Sequence, residues 1–196
     1  MLKILSHTWL ANKLSSHDKM QKYVETNDIK WLEQLVRQHQ DQLFGFIAAQ
    51  SSSDLAADVC QQTWLKVMDK KHLYRQQYQF KAWLFTIARN ILLDEFRRKR
   101  KYTENSSEIE SLATVTVTLE QDTSNNERVF KDVDIILYTA ALNKLNFQQK
   151  EALMLQLEGF SLKQISDICG AAEETIKTRI RYAKQNLKQT ISEQLK

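Results

Sequence analysis

No proline occurs anywhere in the 196 residues, and only three glycines do. Average usage would supply about 5% proline and about 7% glycine, so this chain carries almost nothing that stops a helix. An all-α fold follows as the expectation. A chain of this length holds one or two small domains, each with a modest core.

The most structured stretch runs from Phe160 to Leu187. Ser161 followed by Gln164 is a capping box, and Phe160 and Ile165 stand at the positions of a hydrophobic staple, so a helix is predicted to begin at Leu162. Leu162, Ile165 and Ile168 make its apolar edge, and Gly170 suits a left-handed helix end. After two alanines a second helix opens with Glu173 and Glu174 at its positive terminus. There Ile176, Ile180, Ala183 and Leu187 fall at i, i+4, i+7 and i+11, while Lys177, Arg181, Lys184 and Lys188 repeat the spacing one residue along. Two short helices around a tight turn, the second with a core stripe beside a cationic stripe, form a helix-turn-helix grammar suited to a DNA groove.

Charge is segregated along the chain. Residues 30–101 carry 13 cations and 7 anions, 102–130 carry 1 and 6, and 131–196 carry 10 and 8. Two basic blocks flanking an acidic connector favour nucleic acid at both ends more strongly than the overall net charge of +4 does. Cys60 and Cys169 lie among apolar residues without metal-ligand spacing and read as reduced core thiols. The four histidines, at 7, 17, 39 and 72, are scattered, and neither a phosphate loop nor a nucleophile motif is present, so no catalytic residue, metal or cofactor is expected. The opening MLKILSHTWLANKL is broken by Ser6 and His7 and is a poor secretory signal, and no apolar run is long enough to span a bilayer. A cytoplasmic protein without membrane insertion is the expectation.

Periodicity divides the chain. Residues 1–28 are weakly patterned and form an N-terminal extension of unknown role. From Ile29 to Ala49, Leu32, Leu35, Val36, His39, Leu43, Phe46 and Ile47 keep a helical period. A helix from Asp54 to about Lys70 is expected to bury Leu55, Val59, Cys60, Trp64 and Val67, with Asp58, Gln61 and Leu65 on another face. The polar, aromatic-bearing loop from His72 to Gln79 leads into a long helix from Phe80 that ends in the basic run to Lys101. Periodicity then fails through the acidic linker, 102–131, in which 114–119 reads as extended coil. The final domain, 132–196, is expected to hold helices near 133–144, 148–158, 161–169 and 173–192.

The segments ADVCQQTWLKV at 57–67 and FKAWLFTIARNILLDEFRRKRK at 80–101 resemble region 2 of a sigma-70-type bacterial sigma factor, and LNKLNFQQKEALMLQLEGFSLKQISDICGAAEETIKTRIRYAKQNL resembles region 4. Both blocks in order, about 30 residues apart with no third domain between them, are similar to the extracytoplasmic-function (ECF) branch. The resemblance implies a non-enzymatic subunit that binds RNA polymerase core and directs initiation at -10 and -35 promoter elements. It implies that Asp58, Gln61, Gln62 and Leu65 meet the coiled coil of the largest polymerase subunit, with the flap as a second contact. It places Tyr74, Arg75, Tyr78, Phe80, Trp83, Arg89, Asn90, Arg97 and Arg98 at the -10 element and its melting, where aromatic platforms and cations suit single-stranded DNA. It places Thr175, Lys177, Thr178, Arg181, Tyr182 and Lys184 at the -35 element. An anti-sigma factor is an implied further partner, and the free chain is expected to be a monomer, nucleoid-associated when bound to polymerase.

The chain departs from the family pattern at Ala57, where an acidic residue is usual, and at Ala171 and Ala172, which replace a small N-cap. It also has Tyr182-Ala183-Lys184 for arginine-alanine-arginine, and Leu145-Asn146 for leucine-proline. Two other readings stand beside this one. A stand-alone helix-turn-helix regulator leaves 54–101 without a task, and a degenerate sigma-like interaction protein binds partners without directing transcription.

Overall fold

The computed structural model describes residues 14–75, 79–105 and 139–194, and every element among them is helical. They fall into two compact units. The first is built from α1 (Ser16–Thr26), α2 (Ile29–Ala48), α3 (Ser53–Lys70) from Ala57 onward, a 3-10 turn at Lys71–Leu73 and α4 (Phe80–Asn105) as far as Arg100. The second holds a helical segment at 139–143, then α5 (Phe147–Leu157), α6 (Leu162–Cys169) and α7 (Glu173–Gln194).

Helix α1 lies inside the extension to which periodicity assigned nothing. Its start is a capping box: Ser15 N–H donates to Asp18 Oδ2 (3.1 Å) and Asp18 N–H to Ser15 Oγ (3.1 Å). The Ser15 hydroxyl also donates to the same carboxylate at 2.6 Å, and these bonds hold Asp18 below the usual carboxylate range. Asn27, at φ 55°, ends the helix in the left-handed conformation. Met20 and Tyr23 are buried, and Lys19 buries its stem while its ammonium donates to Gln38 on α2 (3.1 Å). This helix is therefore part of the first unit's core.

On α2 the predicted stripe is realised by Leu32, Leu35, His39, Leu43, Phe46 and Ile47, all buried. On α3 the buried residues are Ala56, Val59, Cys60, Thr63, Trp64 and Val67. Leu55, expected inside, is only half-buried on the first turn of α3. Thr63 satisfies its hydroxyl on the Val59 carbonyl (2.6 Å), and Trp64 donates its indole N–H to Gln40 (2.6 Å). Phe80, Leu84, Phe85, Ala88 and Leu92 of α4 complete the core, with Phe85 5.2 Å from Phe46 between ring centroids. Burial pushes the Cys60 thiol up to about 11, which fits an inert core thiol. Cys169 is likewise buried. Helix α4 continues past Lys101 to Asn105, into the expected linker, because no glycine or proline stops it. The 114–119 segment and residues 133–138 lie outside the described residues.

In the second unit the helix-turn-helix forms where predicted. Ser161 N–H donates to Gln164 Oε1 (2.8 Å) and Gln164 N–H to Ser161 Oγ (3.3 Å), so α6 begins at Leu162. Gly170 takes φ 62° as the C-cap, and the Ser166 hydroxyl donates to the Ala171 carbonyl beyond it (2.5 Å). Asn146 caps α5 through its side chain, which accepts from Gln149 N–H at 2.9 Å, so the residue standing where the family has proline supplies a cap instead. Helix α7 packs on both α5 and α6. Its Ala183 and Leu187 join Ala141, Leu145 and Leu153 in one cluster, with Leu142 and Ile191 against its edge.

Candidate functional site

Burial of Ile176, Ile180, Ala183 and Leu187 fixes the orientation of α7. Thr175, Lys177, Thr178, Arg181, Tyr182 and Lys184 are consequently all exposed, whereas Arg179 is half-buried at the edge. Lys177 Nζ lies 2.5 Å from Glu174 Oε1, and this charge-assisted bond raises its pKa, keeping it cationic. Arg181 stacks its guanidinium 5.1 Å from the ring centroid of Tyr182, itself 45% exposed. The outer surface of the second helix of this motif thus presents three cations, an aromatic ring and two threonine hydroxyls, a set able to meet both base edges and phosphates.

On α3, Asp58, Gln61, Gln62 and Leu65 are exposed together. Asp58, Gln61 and Leu65 recur at i, i+3 and i+7 and so share one stripe. Gln62 stands at its edge and reaches Glu95 on α4 at 3.5 Å. Met68, 40% exposed, extends the stripe by one turn beyond Leu65, which is 57% exposed. Sequence reasoning passed over Met68; its spacing of i+3 from Leu65 was the available signal. Two solvent-facing apolar side chains beside a carboxylate and amides suit docking against a protein.

The third group behaves less uniformly. Phe80 is 2% exposed and is corrected from base platform to core: its ring meets His39 (5.4 Å), Tyr74 (6.1 Å), Trp83 (6.2 Å) and Trp64 (6.5 Å). That packing leaves no face for a nucleobase. Tyr74 and Trp83 are half-buried and lie 5.2 Å apart, so their outer edges form the accessible aromatic surface. Arg75 and Asn90 are exposed, and Arg89 is half-buried. Arg97 and Arg98 are exposed and paired along α4 with Asp94 (2.8 Å) and Glu95 (3.2 Å). The Arg97 pair is exposed on both sides and weak, and Arg98 is exposed beside a largely buried Glu95, so both guanidinium groups remain accessible to phosphate. Tyr78 lies outside the described residues.

Among the described residues there is no group of histidine, cysteine or carboxylate side chains able to hold a metal ion. No described helix is long and apolar enough to cross a membrane.

Segments of both units match known protein families. The family model described as Sigma-70 region 2 matches residues 35–102, and that described as Sigma-70, region 4 matches 135–187. The ECF RNA polymerase sigma factor EcfG of Rhodopseudomonas palustris is 32% identical over 142 residues, covering 72% of this chain and 74% of that protein. The ECF RNA polymerase sigma factor SigL of Mycobacterium tuberculosis is 32% identical over 140 residues, 70% of this chain and 75% of its own length. Among solved structures, the sigma factor RpoE of Bartonella quintana, determined with the anti-sigma factor NepR, superposes with a TM-score of 0.69 at 29% identity, covering 82% of this chain and 96% of that one. The chain belongs to the sigma-70 family, in its extracytoplasmic-function branch.

Proposed function

We propose a division of labour among the three surfaces of this sigma factor, which directs promoter-specific transcription by RNA polymerase. The outer face of α3 docks on the coiled coil of the largest polymerase subunit. The aromatic edge of Tyr74 and Trp83, with Arg75, Asn90, Arg97 and Arg98, captures single-stranded DNA at the -10 element. Helix α7 reads the -35 element, and the unit that carries it meets the polymerase flap. The observation that carries this reading is the exposed row Lys177, Thr178, Arg181 and Tyr182 beside the buried Ile176, Ile180 and Ala183, which aims one helix face outward as a groove reader must. An anti-sigma partner is supported by the Bartonella relative, whose structure was determined with one.

Run-off transcription with purified polymerase core tests the whole. Promoter-dependent transcripts are expected. A stand-alone regulator would not copurify with core, and a degenerate sigma-like chain would bind core without yielding transcripts.

Docking is tested by Asp58→Lys combined with Gln61→Ala. Both side chains are exposed, so helicity should persist while core affinity falls about ten-fold or more, the equivalent of about 1.4 kcal/mol. Unchanged affinity in a polymerase binding titration would remove α3 as the docking face.

A further inference from the structure

Helix α1 and its cap grip the turn from which the single-strand surface begins. His17 Nδ1 lies 2.8 Å from the Tyr74 hydroxyl, and the two rings are 5.7 Å apart. Lys71, in the 3-10 turn, donates its ammonium to the side chain of Asn27, the C-cap of α1. The same ammonium stands 4.8 Å over the ring of Tyr23. Tyr74 in turn bonds back to the turn, its N–H donating to the Lys71 carbonyl at 3.1 Å. On its other side the Tyr74 ring meets Trp83 and Phe80 of α4. Burial, and secondarily the Asp18 charge, push the Tyr74 hydroxyl up to about 12, so the phenol keeps its proton at any physiological pH.

Tyr74 is therefore held from two directions, by α1 through its hydroxyl and by α4 through its ring face. A side chain fixed before DNA arrives loses less conformational freedom on binding, and a fixed ring discriminates between bases better than a swinging one. We propose that α1 is a positioning clamp for promoter reading, in which His17 sets the Tyr74 ring, and hence the edge it shares with Trp83, in the orientation that meets an unstacked base. This rests on the assignment of Tyr74 and Trp83 to single-strand capture. His17 itself is a positioning residue, acting through Tyr74.

The test compares His17→Ala, His17→Asn, Tyr74→Phe and the double variant His17→Ala/Tyr74→Phe in the full chain. Amide hydrogen exchange at residues 71–75 reads the clamp, and run-off transcription with core on templates randomised across the -10 element reads its consequence. His17→Ala and Tyr74→Phe are each expected to speed exchange at Tyr74 and to relax base discrimination about three- to ten-fold at one position. The double variant should be no worse than His17→Ala alone, because Tyr74→Phe removes only the bond that His17→Ala already breaks. Asparagine, whose amide approximates the position of Nδ1, should restore most of the discrimination. Tyr74→Ala/Arg75→Ala separates the two ways of failing. If it alters base preference while His17→Ala does not, or if exchange at Tyr74 is unchanged in His17→Ala, the clamp is overturned and the capture surface stands. If it leaves preference intact, the capture assignment fails and the clamp's role in reading fails with it. Additive effects of His17→Ala and Tyr74→Phe also overturn the clamp, since Tyr74→Phe preserves the ring and removes only the hydroxyl.

Discussion

Arg181→Ala is expected to cut transcription from promoters that depend on the upstream element and to flatten base preference at one position of that element. A guanidinium that reads a base edge contributes about 1 to 3 kcal/mol, which is about five- to 150-fold in occupancy. Arg181 is exposed on the outward face of α7, one residue along from the buried Ile180, so its loss should cost contact with DNA and little of the fold. Lys177→Ala should lower transcription at the same promoters. Its bond to Glu174 is an exposed ion pair of a kind that DNA outcompetes. The two outcomes differ in kind: a base reader relaxes preference at one position, whereas a phosphate contact weakens all sequences alike and lowers the salt slope by about one unit. Core binding should be unaffected by either change. Wild-type discrimination by both variants across a randomised -35 element would show that α7 does not read DNA in this register.

Everything on which that prediction depends was legible in the chain, because each signal is local. A capping box spans four residues, a left-handed C-cap needs one glycine, and a stripe at i, i+4, i+7 and i+11 repeats within a single helix. Helix α1 carries the same kind of start, Ser15 followed by Asp18, but only Met20 and Tyr23 supply its buried apolar side chains, too few for periodicity to register. Its polar attachments, among them Lys19 to Gln38, Ser16 to His39 and His17 to Tyr74, join residues 19, 23 and 57 positions apart. Contacts of that sort have no sequence pattern. The -10 surface failed to resolve for another reason: an aromatic residue beside cations fits a stacking platform and a core position equally well. Only the arrangement of neighbours separates Phe80, enclosed by His39, Trp64, Tyr74 and Trp83, from Trp83, which keeps one side open. Likewise Leu65 and Met68 read as ordinary helix residues until packing turns them outward beside Asp58 and Gln61.

Mild acid should destabilise the first unit through one side chain. His39 is 5% exposed, with its ring 5.4 Å from Phe80 and its Nε2 2.8 Å from the Ser16 hydroxyl. Burial lowers its pKa from 6.5 to about 4, with smaller contributions from the positive charges of Lys81 and Lys19, while the Gln42 side chain, an acceptor that favours the protonated ring, works in the opposite sense. Between those two values the unfolded chain binds a proton that the folded chain refuses. Stability therefore falls as pH drops through the window from 6.5 to 4, by about 2 to 3 kcal/mol in all. For a domain whose total is about 5 to 15 kcal/mol this is a large fraction, and it corresponds to a melting temperature lower by about 10 °C or more. All four tryptophans, at 9, 31, 64 and 83, precede the second unit's described helices, so tryptophan fluorescence follows the first unit selectively. His39→Gln offers Ser16 an amide that does not titrate. It should be less stable than wild type at pH 7, yet lose less stability between pH 6.5 and 4.5, because only the titrating groups common to both chains still respond. Equal pH slopes for the two proteins in urea unfolding would show that His39 titrates alike in the folded and unfolded chains and that its burial costs the protonated form nothing.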